Sequence, residues 1–449
     1  MKSRAVVYLV GMFFFCIPTD LMILSAAEGE GKVTHTLERS ISEAMTNSYK
    51  LKARQERKAQ AEFGKNQARA EFLPKLGTAY SYNRLDEPRI FRSTLQPDMD
   101  IAVSSRNNYR WSAFMRQPLF TGFALLSAYR LAELGIDESE LEFDLEKMDL
   151  VLRVKEAYFN VLAADKAVEV AEKDVESRTW TLKVARSFFD VGMIPVNDVL
   201  RAEVEFANTE QALVRARNAA MVTRAQFNTV LVRPIHATVV LEDILTYSTI
   251  EGDYETYVEN ALANRPEIKI LDTNLLQANQ RIRLAKSKYY PEVSLSYEYI
   301  KEGDDLSVSG SPFHDSNRWE ALAVFSWTFW EWGKTYYAGR EQESLMRQLV
   351  HAKEDVENGI RLEVKDAILD LETAEKNIPT TEKAVKQGEE NLRVNEERYK
   401  AQVTTITDLL DAQTLLAQAR VNYYRALYDH NLAKARLERA TVTYAGGGD

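Results

Sequence analysis

Two aspartates near the end of the chain have a spacing that could act on ions. Asp408 and Asp411 lie three residues apart in the stretch TITDLLDAQ, so a helix would place both carboxylates on one face. Rings of such carboxylates, as assembled copies of a chain would form, attract cations and repel anions. A structural role is the alternative, because acidic residues early in a helix interact favourably with its dipole.

Residue patterns typical of catalytic or metal sites do not occur in the sequence. The five histidines are scattered without the spacing of metal ligands, and the only cysteine is Cys16. No Ser-His-Asp grouping, phosphate loop or nucleotide fingerprint is present. We therefore expect no enzyme, no cofactor and no bound metal. A net charge of -10 without a basic patch also argues against nucleic acid as a partner.

The first 27 residues predict a secretory signal peptide. Lys2 and Arg4 precede an apolar run, and the small residues Ser25, Ala26 and Ala27 follow it. An N-terminal membrane anchor is the alternative. Beyond residue 27 no apolar run reaches 18 residues, so we expect no transmembrane helix in the mature chain. The sequence thus indicates export to the periplasm, the outer membrane or the outside.

The chain repeats itself at an offset of 210 residues. VKEAYFNVLAADKAVEVAEKDV (154–175) resembles VKDAILDLETAEKNIPTTEKAV (364–385), and matches continue without a gap over 152–227 and 362–437. An accidental resemblance of heptads would not keep its register through a helix turn, so we infer an internal duplication. The predicted parts after the signal peptide are a first repeat over 28–235, a linker over 236–252 and a second repeat over 253–449.

Each repeat is predicted to contain a very long helical hairpin. The proline-free stretch over 124–189 would form a helix of about 100 Å at 1.5 Å per residue. A sharp turn follows, in which Gly192 suits a left-handed cap and Pro195 suits the start of the return helix. In the second repeat Gln402 stands at the position of Gly192. The hairpin tips are expected near 190–197 and 400–408.

Two strands precede the hairpin in each repeat, after a helix expected over 37–71 and again over 253–288. The strand pairs are expected within 75–117 and 291–330, each joined by a long polar loop. Strands of about ten residues with one apolar face and aromatic ends are typical of transmembrane β-barrels. A soluble sheet packed on the helices is the alternative. The residues expected to form an aromatic belt at the membrane surface are Tyr80, Tyr82, Tyr109, Trp111, Tyr297, Tyr299, Trp319 and Trp327.

Four strands cannot close a barrel by themselves. The smallest bacterial barrels need about eight strands, and lipid does not tolerate an open sheet edge. Two copies would supply eight strands, and three copies would supply twelve, which is wide enough for a pore. The strands therefore predict an oligomer without fixing its size.

This arrangement resembles the TolC-like outer membrane efflux proteins over the whole mature chain. The similar segments are AEFLPKLGTAYSY and KSKYYPEVSLSYEY before the strands, QPLFTGF after the second strand, and FDVGMIPVNDVLRA and YKAQVTTITDLLDAQTLLAQA at the tips. The resemblance implies an α+β membrane protein that assembles as a homotrimer in the outer membrane of a Gram-negative-type bacterium. Its long hairpins would form a trimeric α-barrel in the periplasm, and its strands a 12-stranded β-barrel in outer membrane lipid.

The resemblance also implies partners and site residues. A periplasmic adaptor protein and an inner-membrane transporter would act with the channel, which is itself passive. Asp408 and Asp411 match residues that line the closed periplasmic constriction, and Asp198 and Tyr399 match contacts between hairpins that hold it shut. The residues expected at the adaptor-docking tips are Gly192, Met193, Gln402 and Val403.

The function expected from the sequence is therefore an exit duct for efflux or type I secretion. A coiled-coil rod in the periplasm that binds partners but conducts nothing is the alternative. The residues do not choose between drugs, metal ions and proteins as the transported substrate, since the transporter selects it.

Overall fold

The computed structural model describes residues 34–92, 100–249, 252–313 and 315–442. The predicted signal peptide lies outside these residues. The first repeat contains the elements α1 (Leu37–Asn47), α2 (Tyr49–Ala70), β1 (Lys75–Arg84), β2 (Ile90–Arg92), β3 (Asp100–Ala102), β4 (Asn107–Thr121), α3 (Ala124–Asp190) and α4 (Val196–Val230). The second contains α5 (Tyr254–Asn264), α6 (Pro266–Lys286), β5 (Glu292–Gly303), β6 (Asn317–Ser326), α7 (Lys334–Lys400) and α8 (Ile406–Thr441).

The two repeats match element by element, in two registers. The starts of α1 and α5, of α2 and α6, and of β1 and β5 lie 217 residues apart, whereas β4 and β6, α3 and α7, and α4 and α8 start 210 residues apart. The seven additional residues of the first repeat lie between the starts of β1 and β4, where the loop is nine residues longer than its counterpart and β1 is two residues shorter than β5. Helices α3 and α7 both contain 67 residues, about 100 Å at 1.5 Å per residue. The internal duplication predicted from the sequence is confirmed.

The helix before the strands differs from the expectation in both repeats, because each predicted segment forms two helices. Ser48 separates α1 from α2, and its Oγ accepts a hydrogen bond from the Leu51 N–H at 3.4 Å. Arg265 separates α5 from α6 in an extended conformation, and Pro266 begins α6. The residue before a proline disfavours the α-helical backbone conformation, so the sequence already indicated a helix break at this position.

The four long helices lie side by side in the order α4, α3, α8, α7. Within this row α3 and α8 each pack on two long helices, and α3 also packs on α1, α2 and α6. Helices α4 and α7 stand at the edges of this row, where α4 packs mainly on α3, whereas α7 packs on α8 and also on α5 and α6. No helix in the described part of the chain is long and apolar enough to cross a membrane.

The strands form one antiparallel sheet in the order β1-β4-β5-β6. Strands β1 and β6 are therefore its edges, and every residue of β6 is exposed. A second, small hairpin of β2 and β3, which the sequence did not predict, lies within the loop between β1 and β4.

The largest buried cluster surrounds the middle of α3, where α1 and the linker meet the hairpins. At its centre the Tyr158 hydroxyl donates to the backbone carbonyls of His35, at 3.0 Å, and Glu242, at 2.9 Å. His35 and Leu241 also form an isolated parallel bridge. The chain before α1 and the linker are thus fixed to the same side of the hairpins.

Candidate functional site

Both hairpin tips use the same backbone turn. At the first tip Gly192 has a φ of 76°, and the Met193 N–H donates to the Phe188 carbonyl at 2.8 Å. At the second tip Gln402 has a φ of 58°, and the Val403 N–H donates to the Arg398 carbonyl at 2.9 Å. This is the helix-ending motif in which one left-handed residue lets the chain reverse. The glutamine therefore adopts a conformation that glycine reaches at lower cost.

The return helix of the second hairpin starts with a reciprocal cap. Thr405 Oγ1 accepts from the Asp408 N–H at 3.2 Å, and Asp408 Oδ2 accepts from the Thr405 N–H at 3.1 Å. The Thr405 and Thr404 hydroxyls also donate to the same oxygen, at 2.7 and 2.8 Å. The Thr405 hydroxyl, followed by that of Thr404, holds the pKa of Asp408 below its ordinary value. Asp408 is thus a charged, exposed group and a structural cap at once.

Asp411 lies one turn further along α8 and is also exposed. The exposed residues of α8 continue from it at heptad spacing, through Gln418 and Arg425. A parallel row runs from Asp408 through Leu415 and Asn422. These side chains form one exposed stripe along the helix, called here the α8 stripe.

Tyr399 and Asp198 lie close to each other at the tips. Tyr399 is 3% exposed, and its ring lies 5.7 Å from that of Phe188. Burial, followed by the nearby Asp198 carboxylate, raises the pKa of Tyr399 to about 12. In the described chain the Tyr399 hydroxyl has no hydrogen-bond partner. The tyrosine therefore joins the hairpins by packing.

Polar contacts between the two hairpins lie at positions that sequence reasoning missed. Near the tips Arg201 Nη1 of α4 donates to Thr407 Oγ1 of α8. About two turns deeper, Gln413 Nε2 donates to Thr181 Oγ1 at 2.8 Å, and Gln413 is 2% exposed. Arg178, also buried, donates to Thr414 Oγ1 at 2.8 Å. The buried contacts could have been suspected from the sequence, because each places a long polar side chain on a heptad seam that is otherwise apolar.

The four residues expected at the docking tips are all exposed. Met193 is 57% exposed and Val403 is 63% exposed. Gly192 and Gln402 occupy the left-handed positions just before them. The first tip also exposes Val191 and Val196, so both tips present apolar side chains to solvent.

The sheet has one aromatic face and one charged face. Strand pairing places Tyr80 opposite Trp111, Tyr82 opposite Tyr109, and Tyr299 opposite both Ala113 and Trp319. By the same register Tyr297 shares this face, so seven of the eight expected belt residues lie together. Trp327 lies beyond β6, where its Nε1 donates to the Tyr289 carbonyl at 3.1 Å.

The opposite face of the sheet carries ion pairs that cross the strands. Arg110 lies 3.2 Å from Glu298, and Arg318 lies 2.7 Å from Glu302. Phe114 also lies on this face, where its ring covers Gly77 of the adjacent strand. One face thus suits lipid, whereas the other suits water.

In the parts of the chain that the structure describes, no group of three or more His, Cys, Asp and Glu residues could hold a metal ion. The acidic residues at the tips are instead spread along α4 and α8.

The sequence matches the family model described as outer membrane efflux protein twice, over residues 40–231 and 257–442. The chain belongs to the outer membrane efflux protein family. The family predicted from the sequence is therefore confirmed, and each repeat corresponds to one match. Relatives in this family are outer membrane proteins of transport, so the chain is an outer membrane protein of efflux or secretion.

Individual relatives share the length of this efflux protein at low identity. Outer membrane protein TolC of Vibrio cholerae is 24% identical over 391 residues, which cover 84% of this chain and 83% of the relative. Alkaline protease secretion protein AprF of Pseudomonas aeruginosa is 22% identical, covering 82% and 76%.

Solved structures share the fold. The CmeC outer membrane channel of Campylobacter jejuni aligns with a TM-score of 0.78 at 17% identity, covering 90% of this chain and 85% of that one. The open state of the MtrE outer membrane channel of Neisseria gonorrhoeae aligns with a TM-score of 0.74 at 19% identity, covering 90% and 88%. The predicted fold class, a duplicated chain of long helical hairpins and four main strands, is confirmed.

Proposed function

We propose that three copies of this chain form a channel-tunnel, the exit duct of a tripartite efflux or type I secretion system. The observation that carries the proposal is the sheet order β1-β4-β5-β6, which leaves β1 and β6 unpaired. An open edge costs several kcal/mol for each unsatisfied backbone group in lipid. If β6 of each copy pairs with β1 of the next, three copies close a 12-stranded barrel without an edge.

The edge helices support the same assembly. Helix α4 exposes an apolar row at heptad spacing, which includes Leu200, Val204, Val214 and Met221. In the matching helix α8 the counterpart of Leu200 is Leu410, which is buried, and that of Val204 is Thr414, which Arg178 of α3 contacts. A neighbouring α7 would cover the row on α4 as α3 covers α8.

In this tunnel the tips would form the periplasmic gate. The exposed carboxylates of Asp408 and Asp411 would each make a ring of three at the narrow end, and such rings favour cations. Tyr399 and Asp198 would hold the two hairpins of each copy together. Arg201 and Thr407 form an additional contact between the same hairpins.

The partners in this proposal are a periplasmic adaptor and an inner-membrane transporter that supplies the energy. The exposed tips with Met193 and Val403 are the surfaces we assign to the adaptor. The relative AprF is named for secretion of alkaline protease, and another relative, OpmQ of Pseudomonas putida, is named for export of pyoverdine. Since those cargoes are unlike each other, we assign the choice of cargo to the transporter.

Single-channel recording in a planar bilayer tests the proposal directly. We expect the purified protein to be a trimer in detergent and to conduct with a preference for cations. Asp408→Ala/Asp411→Ala should reduce that preference. The cap at Thr405 loses a partner in this variant, so Asp411→Ala alone serves as the control that leaves the cap intact.

The non-conducting rod makes the opposite prediction. It requires a protein that stays soluble without detergent and does not insert. If the protein conducts but the aspartate substitutions change nothing, the channel is supported and its constriction must be formed by other residues.

A further inference from the structure

One arginine occurs at the same position of both return helices. Arg215 of α4 and Arg425 of α8 lie 210 residues apart, and both are exposed. Seven positions are identical when α4 is laid on α8, and this pair is the one at which both copies are exposed. The others are Asp198/Asp408, Leu200/Leu410, Ala202/Ala412, Ala207/Ala417, Ala216/Ala426 and Ala225/Ala435.

Packing explains those other positions better than it explains the arginine. Alanines permit close approach of helices, and Ala202 and Ala412 are both 2% exposed. Leu410 belongs to the buried cluster at the tip, and Asp408 caps a helix. The side chains of Arg215 and Arg425 are not buried in a core. The fold of a single copy therefore does not require a guanidinium group at either position.

Arg425 lies on the α8 stripe together with Asp411. The two residues are fourteen positions apart, which is two heptads and about 21 Å at 1.5 Å per residue. The residues between them on the stripe, including Leu415, Gln418 and Asn422, carry no charge. Asp429 follows Asn422 at heptad spacing and is also exposed. The stripe is therefore negative at Asp408 and Asp411, whereas two heptads further on it carries the guanidinium of Arg425 beside the carboxylate of Asp429.

The charge of the two arginines is incompletely neutralised. Arg425 Nε lies 3.8 Å from a carboxylate oxygen of Asp429, and both side chains are at least half exposed. For Arg215, no ion pair is found among the described residues. Its neighbours one turn away, Gln211, Ala212, Asn218 and Ala219, are also uncharged. An exposed ion pair such as that of Arg425 is worth little, so both guanidinium groups remain open to another anion.

We propose that Arg215 and Arg425 form an arginine band in the tunnel, which binds anionic groups of molecules that pass through it. The band rests on the proposed trimer, in which matching positions of α4 and α8 stand at one level and present six guanidinium groups. Each guanidinium has a planar fork of donors that fits a carboxylate or a phosphate. The tunnel would thus select cations at its tip and hold anions deeper inside.

Block of single-channel current by inositol hexakisphosphate tests the band. The polyanion is added to each side in turn, because from the barrel end it reaches the band without passing the carboxylates of the tip. We expect it to block the wild-type channel. In Arg215→Gln/Arg425→Gln the block should be about tenfold weaker or more, since loss of one charge-assisted contact already gives such a factor.

The matched control is Arg217→Gln/Arg420→Gln, which removes the same charge from the same two helices on another face. There Arg217 pairs with Glu172 at 2.8 Å, and Arg420 pairs with Glu389 at 2.9 Å. The control should keep the wild-type block. Equal block in both double variants would overturn the band while leaving the channel in place.

Failure of the channel itself gives a different result. A wild-type protein that forms no conducting trimer would sink the proposed function, and the band with it. If the double variant does not assemble, Arg215→Gln alone decides, because it breaks no ion pair in the described chain. It should weaken the block by a smaller factor than the double variant, and an unchanged block would overturn the band.

Discussion

Tyr399 connects the two hairpins through its ring, and its hydroxyl adds a cost. The ring packs in the cluster that also contains Leu182, Ile406 and Leu409. A buried hydroxyl without a partner loses its hydrogen bonds to water, which costs about 1–3 kcal/mol. The residue is therefore held by apolar contact, and its buried hydroxyl opposes part of that stabilisation.

The first prediction concerns the effect of pH on Tyr399. The folded protein keeps the tyrosine proton up to a pKa of about 12, whereas the ordinary value is 10.0. The unfolded chain thus loses the proton first, and the free energy of unfolding falls as pH rises from about 10 to about 12. In Tyr399→Phe the free energy of unfolding should therefore decrease by about 2–3 kcal/mol less than in the wild type over this pH range.

Chemical unfolding followed by circular dichroism at pH 9 and at pH 11.5 measures the difference. Tyr49→Phe is the control, because Tyr49 is 73% exposed. We expect the gain of Tyr399→Phe over the wild type to grow with pH. A gain that is the same at both values would show that the hydroxyl is solvated in the folded protein.

At the scale of elements, the tips show how far the sequence determines the structure. Gly192 and Pro195 mark the first turn with residues whose backbone preferences are strong. The second turn has no such marker, and the duplication alone indicates that Gln402 takes the same conformation. Glycine and a larger residue also change places after the strands. There Gly122 matches Trp332 and Phe123 matches Gly333, and all four residues have a positive φ.

The second prediction is an exchange between the two tips. Gln402→Gly should stabilise the protein by about 1 kcal/mol, since it removes the left-handed penalty of a side chain. Gly192→Ala should destabilise it by about 1–2 kcal/mol. A Cβ at Gly192 would meet no atom within 4 Å, so backbone conformation is the whole effect.

The midpoint of thermal unfolding in detergent reads out both variants against the wild type. A shift of the same sign in the two variants would contradict a shared turn. Gly64→Ala is a suitable reference, because Gly64 lies inside α2 with open space around it and gains helix propensity instead.

Other features of the structure could be predicted from the sequence to different extents. Long helices, four strands and the repeat follow from heptads, alternation and internal similarity. The helix breaks at Ser48 and Arg265 are signalled locally, by a serine that can cap a helix and by Pro266. The continuous helical periodicity around them hides these signals. The contacts of Arg178 and Arg201 could not be derived, because they depend on how two helices 200 residues apart are rotated against each other.

At the scale of the whole molecule, the exposed apolar row on α4 is the feature that a single copy leaves unexplained. The third prediction is that Val214→Asp weakens the trimer. Val214 is 66% exposed in one copy, and a charge buried there between copies would cost on the order of 3 kcal/mol for each interface. Leu415→Asp is the control, because Leu415 is similarly exposed but lies on the α8 stripe beside the carboxylates.

Light scattering of the detergent-solubilised protein over a range of concentrations gives the fraction of trimer. Val214→Asp should dissociate at concentrations where the wild type and Leu415→Asp remain trimeric. Dissociation of Leu415→Asp instead would place the interface on the α8 stripe and would exclude that stripe from the tunnel.

The equal length of α3 and α7 limits how this protein can change in evolution or by design. One additional residue in a single long helix would rotate everything beyond it by about 100° and move one tip by about 1.5 Å. The loop between β1 and β4, by contrast, is nine residues longer than its counterpart between β5 and β6, and α3 and α7 keep their equal length. Insertions in the hairpins should be tolerated only as whole heptads, added to both helices of both hairpins at once. The distance from membrane to tip is then a quantity that changes in steps of about 10 Å.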